Sequence, residues 1–483
     1  MMMFEPKRLH PAAAVINSIK QLKELVVPAA AFLIFGSGGD RRSMFFVSLA
    51  IIGILIALIS GILTWLCFTY RIEDNELRLE FGVFVKKKRY IPLERIQSID
   101  RSEGIMHRPF GLVQLKIETA GGGAGSDSTE ASLTAITREE ASRLEDVIFS
   151  GRNLARAQGV EEPAMEDYPI YKLSPYLLFI MASTSGGVGV VISAVLAFLT
   201  QFDEFIPYKQ VFSGFETIVE SGIVFVSILV FMGFLIAWVL AITGMMIKYG
   251  NYTVGKMGDD LIISRGLLEK RKITIPLKRI QAIQITQNPL REMLGYAAVH
   301  VESAGGSSID KDSARVLLLP LIKVSEVSSV LSGHLPAYQF KTTLVPVPKR
   351  ALSRYMLRNL LITLPVAAVM VFFFRPWGYA ALLLPILGAV WAYSCYRAAG
   401  WGIDGGQLSF RFRNLAKVTV FMTKNKIQSL DLRESYFQKR KKLTRVEAYA
   451  KSGAGTAGGS VQDVDAEDAL FIYNWYSAEQ TKQ

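Results

Sequence analysis

Ile91-Pro92-Leu93-Glu94-Arg95-Ile96-Gln97-Ser98-Ile99 decides how this chain is read, because it comes back twice. It returns as Ile275-Pro276-Leu277-Lys278-Arg279-Ile280-Gln281-Ala282-Ile283 and, worn, as Met422-Thr423-Lys424-Asn425-Lys426-Ile427-Gln428-Ser429-Leu430. The second copy lies 184 residues after the first and the third lies 331 after it. The first offset holds well outside the motif. Gly111 falls on Gly295, and Ile117-Glu118-Thr119-Ala120-Gly121-Gly122 falls on Val301-Glu302-Ser303-Ala304-Gly305-Gly306. Upstream, Leu77, Leu79 and Gly82 fall on Leu261, Ile263 and Gly266. In the third copy Leu443 matches Leu112 and Gly453 matches Gly122, while the Pro92 and Gly111 equivalents are gone. A register kept without a gap over such a span marks a threefold internal repeat.

Outward from the motif, the whole chain is too apolar for a soluble protein of its size. It has 483 residues, 51% of them hydrophobic, and a mean hydropathy of +0.29, so membrane spans come first. The apolar runs come in pairs. Leu25 to Phe35, interrupted by Pro28, and the charge-free Met44 to Thr69 make the first hairpin. Pro175 to Leu199 with Gly222 to Ile247 make the second, and Leu360 to Phe374 with Trp377 to Tyr396 the third. Two cysteines, Cys67 and Cys395, and four scattered histidines form no zinc or disulfide pattern, so no metal and no cofactor is expected. The N-terminus carries Lys7, Arg8, Lys20, Lys23 and Glu24 before any apolar run and does not read as a cleaved signal peptide.

Between the hairpins the period changes from helical to twofold. Leu77, Leu79 and Phe81 alternate with Arg78 and Glu80, as on a half-buried strand. Pro92 ends the next strand, because proline cannot donate to a ladder. Gly111 opens another, and Gly121 to Ser126 reads as a glycine-rich connection. Thr137-Arg138-Glu139-Glu140 is a capping box that opens a closing helix. The expected division is therefore hairpin 1–69, β domain 70–155, linker 156–172, hairpin 173–247, β domain 248–334, linker 335–353, hairpin 354–396 and β domain 397–483. Basic residues near the spans favour the β-domain side. The hairpin loops hold Arg41, Arg42, Lys209 and Arg375, against Arg71, Lys86 to Arg89, Lys172, Lys248, Lys349, Arg350, Arg354, Arg358 and Arg397 on the other flank. Both termini and all three β domains are thus expected in the cytoplasm, with Arg41-Arg42 as the dissenting pair.

The net charge of +12 is first a topology signal and gives no reason to expect nucleic acid. Three basic clusters offer an anionic-lipid or partner surface: Lys86-Lys87-Lys88-Arg89, Lys270-Arg271-Lys272 and Lys439-Arg440-Lys441-Lys442. Each such residue near anionic lipid contributes about 1 kcal/mol. A solvated strand face that merely fixes topology explains them equally well, and the third cluster is not equivalent to the other two in the repeat. Gln97, Gln281 and Gln428 recur in all three motifs, and the structural reading is an amide that satisfies a bent backbone. Pro92, Ile96, Gly111, Pro276, Ile280, Gly295 and Ile427 belong to that same structural motif. Glu118 and Glu302 sit at strand ends, but the third copy has Tyr449 there, and nothing supplies a second group for acid–base work. The glycine loops match neither a phosphate-binding loop nor a dinucleotide fingerprint.

The order Ile-Pro-Leu-x-Arg-Ile-Gln-x-Ile, then Gly, then Glu-(Thr/Ser)-Ala-Gly-Gly, directly after a membrane hairpin, resembles the bacterial pleckstrin-homology-like (PH-like) membrane domain family of the YdbS/YdbT type. The resemblance spans nearly the whole chain. It implies PH-like β-barrels or sandwiches of about seven strands capped by a helix, on the cytoplasmic side of a bacterial plasma membrane. It also implies a smaller membrane protein with one such domain as partner, and a part in envelope defence against membrane-active peptides. It brings no catalytic residues. The expected function is a non-enzymatic scaffold or sensor in the bilayer. The alternative is a transporter or exporter component for a membrane-active compound, against which stands the lack of Asp, Glu, Lys or Arg inside the six spans. An enzyme acting on a lipid head group ranks third, because no nucleophile meets a base.

Overall fold

The computed structural model describes residues 5–19, 21–22, 40–119, 131–154, 169–185, 223–304, 315–375, 377–452 and 455–477. Leu25 to Phe35, most of 175–199, the loop 203–220 and the glycine tract Gly121 to Ser126 lie outside those residues. The repeat is visible as three units of seven strands. The first holds β1 (Lys7–Arg8), α1 (Asp40–Leu66), β2 (Thr69–Glu73), β3 (Glu76–Phe81), β4 (Lys87–Pro92), β5 (Ile96–Glu103), β6 (Leu112–Thr119), β7 (Ala131–Thr137) and α2 (Arg138–Leu154). The second holds β8 (Pro169–Lys172), α3 (Pro175–Ser183), α4 (Ile223–Tyr249), β9 (Thr253–Met257), β10 (Asp260–Arg265), β11 (Lys270–Pro276), β12 (Ile280–Gln287), α5 (Pro289–Met293), β13 (Tyr296–Ser303), β14 (Arg315–Lys323) and α6 (Val324–Ser332). The third holds β15 (Val345–Pro346), α7 (Leu352–Phe373), α8 (Leu383–Ala398), β16 (Gly400–Asp404), β17 (Gln407–Arg413), β18 (Lys417–Thr423), β19 (Ile427–Arg433), α9 (Tyr436–Arg440), β20 (Leu443–Ser452), β21 (Gly455–Asp465) and α10 (Ala466–Ser477).

The repeated motif turns one sheet into the other. Pro92, Pro276 and Thr423 each precede a single 3-10 turn, Leu93–Arg95, Leu277–Arg279 and Lys424–Lys426. The first amide of each turn is taken up by the preceding hairpin: Leu93 donates to Asn75, Leu277 to Asp259 and Lys424 to Gly406. The glutamine that follows is a β-bulge. Ile96 faces Thr119 and Ser98 faces Glu118, so the ladder skips Gln97. Gln281 and Gln428 are skipped in the same way. A bulge leaves its extra residue unpaired and bends the strand. The Gln281 amide donates to the Arg279 carbonyl at 3.1 Å and is buried. Gln428 is exposed.

No barrel closes among the described strands, which corrects the barrel expectation. The four strands before the turn and the three after it lie in different sheets; the three of one unit bond to the four of the next, and the outermost halves, β1–β4 and β19–β21, stand as sheets of their own. The sheet orders are β1-β2-β3-β4, β7-β6-β5-β11-β10-β9-β8, β14-β13-β12-β18-β17-β16-β15 and β19-β20-β21. Each unit is thus a sandwich with its own core. In the first, Leu77, Leu79 and Ile91 pack against Leu112, Leu115, Leu133 and the α2 residue Ile148. The other two units repeat this arrangement. Half of the expected capping box is seen: Glu140 N donates to Thr137 Oγ1 at 3.3 Å, while the Glu140 carboxylate accepts from Lys7 Nζ at 2.6 Å.

The short strands β1, β8 and β15 pair with the strands that follow each hairpin, β2, β9 and β16. The chain therefore leaves and re-enters each unit at one sheet edge. Among the described residues three helices are long and apolar enough to cross a membrane: Phe231–Tyr249, Lys349–Phe373 and Gly378–Ala398. A shorter apolar helix covers Ile51–Leu66. Three of the six expected spans are thus seen at full length. In the third hairpin Gly388 lets the two helices approach, since a Cβ there would meet Asn359 Oδ1 at 2.6 Å.

Candidate functional site

In the second and third units the loop tips meet the ends of the spans. In the second unit Gly266 N donates to Gly250 O at 2.7 Å and Leu267 N to Ile247 O at 3.0 Å, so the β10–β11 tip hangs on the last turn of α4. In the third, Arg411 Nε donates to Ala398 O at 2.9 Å, and the Arg413 guanidinium lies 5.6 Å from the Trp391 ring centre. The tips carry large apolar residues into solvent at equivalent repeat positions: Phe84 (98% exposed), Leu268 and Leu415. A second set of loops does the same with Ile105, Met106 and Phe110, with Leu290, Met293 and Leu294, and with Tyr436 and Phe437. Exposed apolar groups clustered beside span ends suit a membrane interface better than water.

A basic hollow of about 340 Å³ lies between the first two units at this level. Arg101 and Glu103 of β5 face Lys270, Arg271 and Lys272 of β11, and Asn251 and Arg265 close it beside the end of α4. Arg265 also lies 5.2 Å from the Tyr249 ring centre. Glu103 is bridged by Arg101 at 3.3 Å and by Arg138 at 2.8 Å, so its charge is already answered. The remaining excess is positive, as an anion would require.

The structure separates the three basic clusters. Lys270, Arg271 and Lys272 lie on an internal seam, opposite Glu103, Ser102 and Arg101. Lys86 to Arg89 lie on and just before β4, the last strand of the first sheet. Lys439 and Arg440 end α9, Lys441 Nζ donates to Ser353 Oγ at 2.6 Å, and Lys442 follows in a left-handed turn.

Beneath the hollow a buried polar cluster crosses the seam. Arg279 of the second unit donates to Ser98 Oγ at 3.0 Å and lies 3.7 Å from Glu118. Ser98 Oγ donates to Glu118 Oε2 at 2.8 Å. Asp100, on the same strand, has its carboxyl pushed up to about 7, chiefly by burial and next by the charge of Glu118. At the second seam Lys426 stands in the place of Arg279 and donates to Lys278 O at 2.9 Å. Glu302 is buried, with Arg315 at 3.5 Å and Ser452 Oγ at 3.3 Å. The motif arginine and the strand-end glutamate thus meet across units, which spacing along one copy does not reveal.

The bacterial PH domain family matches residues 22–152, 185–335 and 359–480. The chain belongs to the bacterial PH domain family. It is 37% identical over 494 residues to the UPF0699 transmembrane protein YdbT of Bacillus subtilis (strain 168), covering 99% of each chain. It is also 33% identical over 79 residues to the UPF0699 transmembrane protein YdbS of the same organism, covering 16% of this chain and 45% of that one. No solved structure matches. With its apolar helices, this membership makes the chain a membrane-spanning protein built from three PH-like units.

Proposed function

We propose that the chain is a non-enzymatic scaffold of the bacterial plasma membrane. Six spans carry its three PH-like units on the cytoplasmic face. Its partners are anionic lipid and a smaller membrane protein with one PH-like unit, and the assembly serves envelope defence against membrane-active peptides. The observation that carries this reading is the continuous pairing of strands from unit to unit above span ends. Such pairing makes one stiff platform of three separate modules. The apolar tips and the basic hollow supply its lipid-facing side. Among the described residues the charged groups at the seams answer each other across units, Arg279 with Glu118 at the first and Lys417 with Glu292 at the second, which favours a binding role. The existence of a single-unit relative supports the choice of partner class.

The test is chemical cross-linking in intact membranes, followed by purification through a C-terminal tag and mass spectrometry. One recurrent smaller membrane protein, linked through residues 70–150 or 248–334, is the expected result. Self-links alone would remove the hetero-complex from the proposal. Anionic lipid retained by the purified protein should fall when Lys270, Arg271 and Lys272 are replaced together by alanine; unchanged retention would remove the lipid contact.

A further inference from the structure

The row of units has two unequal ends, and they fit each other. Inside the chain, β5 of the first unit pairs with β11 of the second, and β12 of the second with β18 of the third. The two seams have one register. Lys270 faces Glu103 in the first, and Lys417 faces Gln287 in the second; both pairs stand at the same repeat positions. Among the described strands, β4 ends the first sheet and β19 ends the last. The first is the equivalent of β11 and β18, and the second of β5 and β12. We propose that the outer edge of β19 pairs with the outer edge of β4 in a second copy of this chain, so that copies join head to tail in the membrane.

Three further observations favour this occupant. Transferring the shared register sets Lys86 opposite Glu434 and Arg89 opposite Asp431, two pairs of opposite charge, which stabilise an antiparallel pairing. Lys87 then faces Arg433, and the internal seam already tolerates such a pair in Lys272 and Arg101. Next, the positions that internal seams bury are open at the ends. Tyr90 is 54% exposed, while its equivalents Thr274 and Phe421 are 6% and 3% exposed. Ser429 is exposed, while Ser98 and Ala282 are buried. Finally, Arg108 donates across the first seam to the carbonyls of Leu267 and Leu268, at 2.8 and 3.4 Å. Its equivalent at the free end is Lys439, placed to do the same to Val83 and Phe84 of the next copy.

Lysines on an edge strand commonly protect it from pairing. Here Lys270, Arg271 and Lys272 lie on a strand that pairs, so the basic run does not forbid the seam. Because the internal seams keep neighbouring span ends on one side, the same seam between copies leaves all spans in one bilayer. The contact is heterologous, so it builds rings or open rows and not a twofold dimer. The inference goes beyond the scaffold reading and does not need the smaller partner.

The test uses the full chain in native membranes with Cys67 and Cys395 replaced by alanine. One tagged copy carries Tyr90→Cys and a differently tagged copy carries Leu430→Cys, which face each other in the shared register. Mild oxidation should give a mixed-tag disulfide dimer at least about tenfold above the off-register pair Tyr90→Cys with Leu432→Cys, since a bridge needs Cα atoms roughly 4.4–6.8 Å apart. Equal yields, no dimer, or a link only to a smaller protein would overturn the proposal. The unsubstituted protein in native nanodiscs gives an independent reading by mass photometry. Multiples of one chain that fall to single chains with Asp431→Lys and Glu434→Lys, and return when Lys86→Glu and Arg89→Glu are added, support it; single chains throughout overturn it.

Discussion

Lys442 occupies a backbone position that the repeat otherwise gives to glycine. Gly111 and Gly295 sit at φ of +64° and +72°, and Lys442 keeps that left-handed turn at +52°. A side chain there costs roughly 1–2 kcal/mol. Lys442 is exposed and bonds through its backbone, its amide donating to Lys439 O and its carbonyl accepting from Arg350 and Ala466, bonds that a glycine would keep. Lys442→Gly should raise stability by about 1 kcal/mol, seen as a higher thermal midpoint in detergent. The third copy thus lost its glycine in sequence while the fold kept the turn. Asp100 gives the pH-dependent case. Its native carboxyl titrates near 7 against 3.8 for an ordinary aspartate, so between those values the folded chain holds a proton that the unfolded chain has released. Its contribution to stability therefore falls as pH rises from about 4 to 7 and is flat above that. Asp100→Asn should raise the midpoint relative to the parent at pH 8 and leave it nearly unchanged at pH 4.5, as scanning fluorimetry at both pH values would record.

At the scale of elements, the motif is a device for changing sheets. The proline stops the first strand, the 3-10 turn redirects the chain, and the bulged glutamine bends the next strand. Strand alternation, the proline stop and the Thr137 helix cap were all legible in one copy, because each depends on local chemistry. The seam was not legible. Arg279 reads as one residue of a turn, yet it spans to Ser98 and Glu118 of the preceding unit. Removing it should strand Glu118 in the seam. Arg279→Ala is expected to cost about 3 kcal/mol and to open proteolytic cleavage between the first two units. Arg279→Met together with Glu118→Leu, which removes both charges, should cost much less, because no buried charge is left alone. Limited proteolysis with thermal unfolding of both variants separates these outcomes.

For the whole molecule, the units form one row of sandwiches above their spans, joined through two seams of identical register. The charge asymmetry about the spans predicts a cytoplasmic position for this row. Protease added to right-side-out cells should therefore leave the Gly121 to Ser126 stretch intact and cut it in inverted vesicles. Cleavage in intact cells would reverse the orientation. The basic clusters gain different meanings at this scale. Lys270 to Lys272 lie inside a seam, Lys86 to Arg89 lie at the open end of the row, and Lys439 to Lys442 lie at the other end.

The sequence by itself determined the threefold repeat, the alternation of apolar hairpins with β units, the family and the local turns. Periodicity, proline and glycine act over a few residues, and a repeat offset needs no structure to be measured. Only the tertiary structure decided that the barrels stay open, that the second half-sheet of one unit joins the first half-sheet of the next, and that Arg279 and Glu118 meet. A strand's hydrogen-bonding groups are the same whichever edge they meet. Which partner it takes is set by the direction the bulged turn imposes and by what the membrane spans hold alongside.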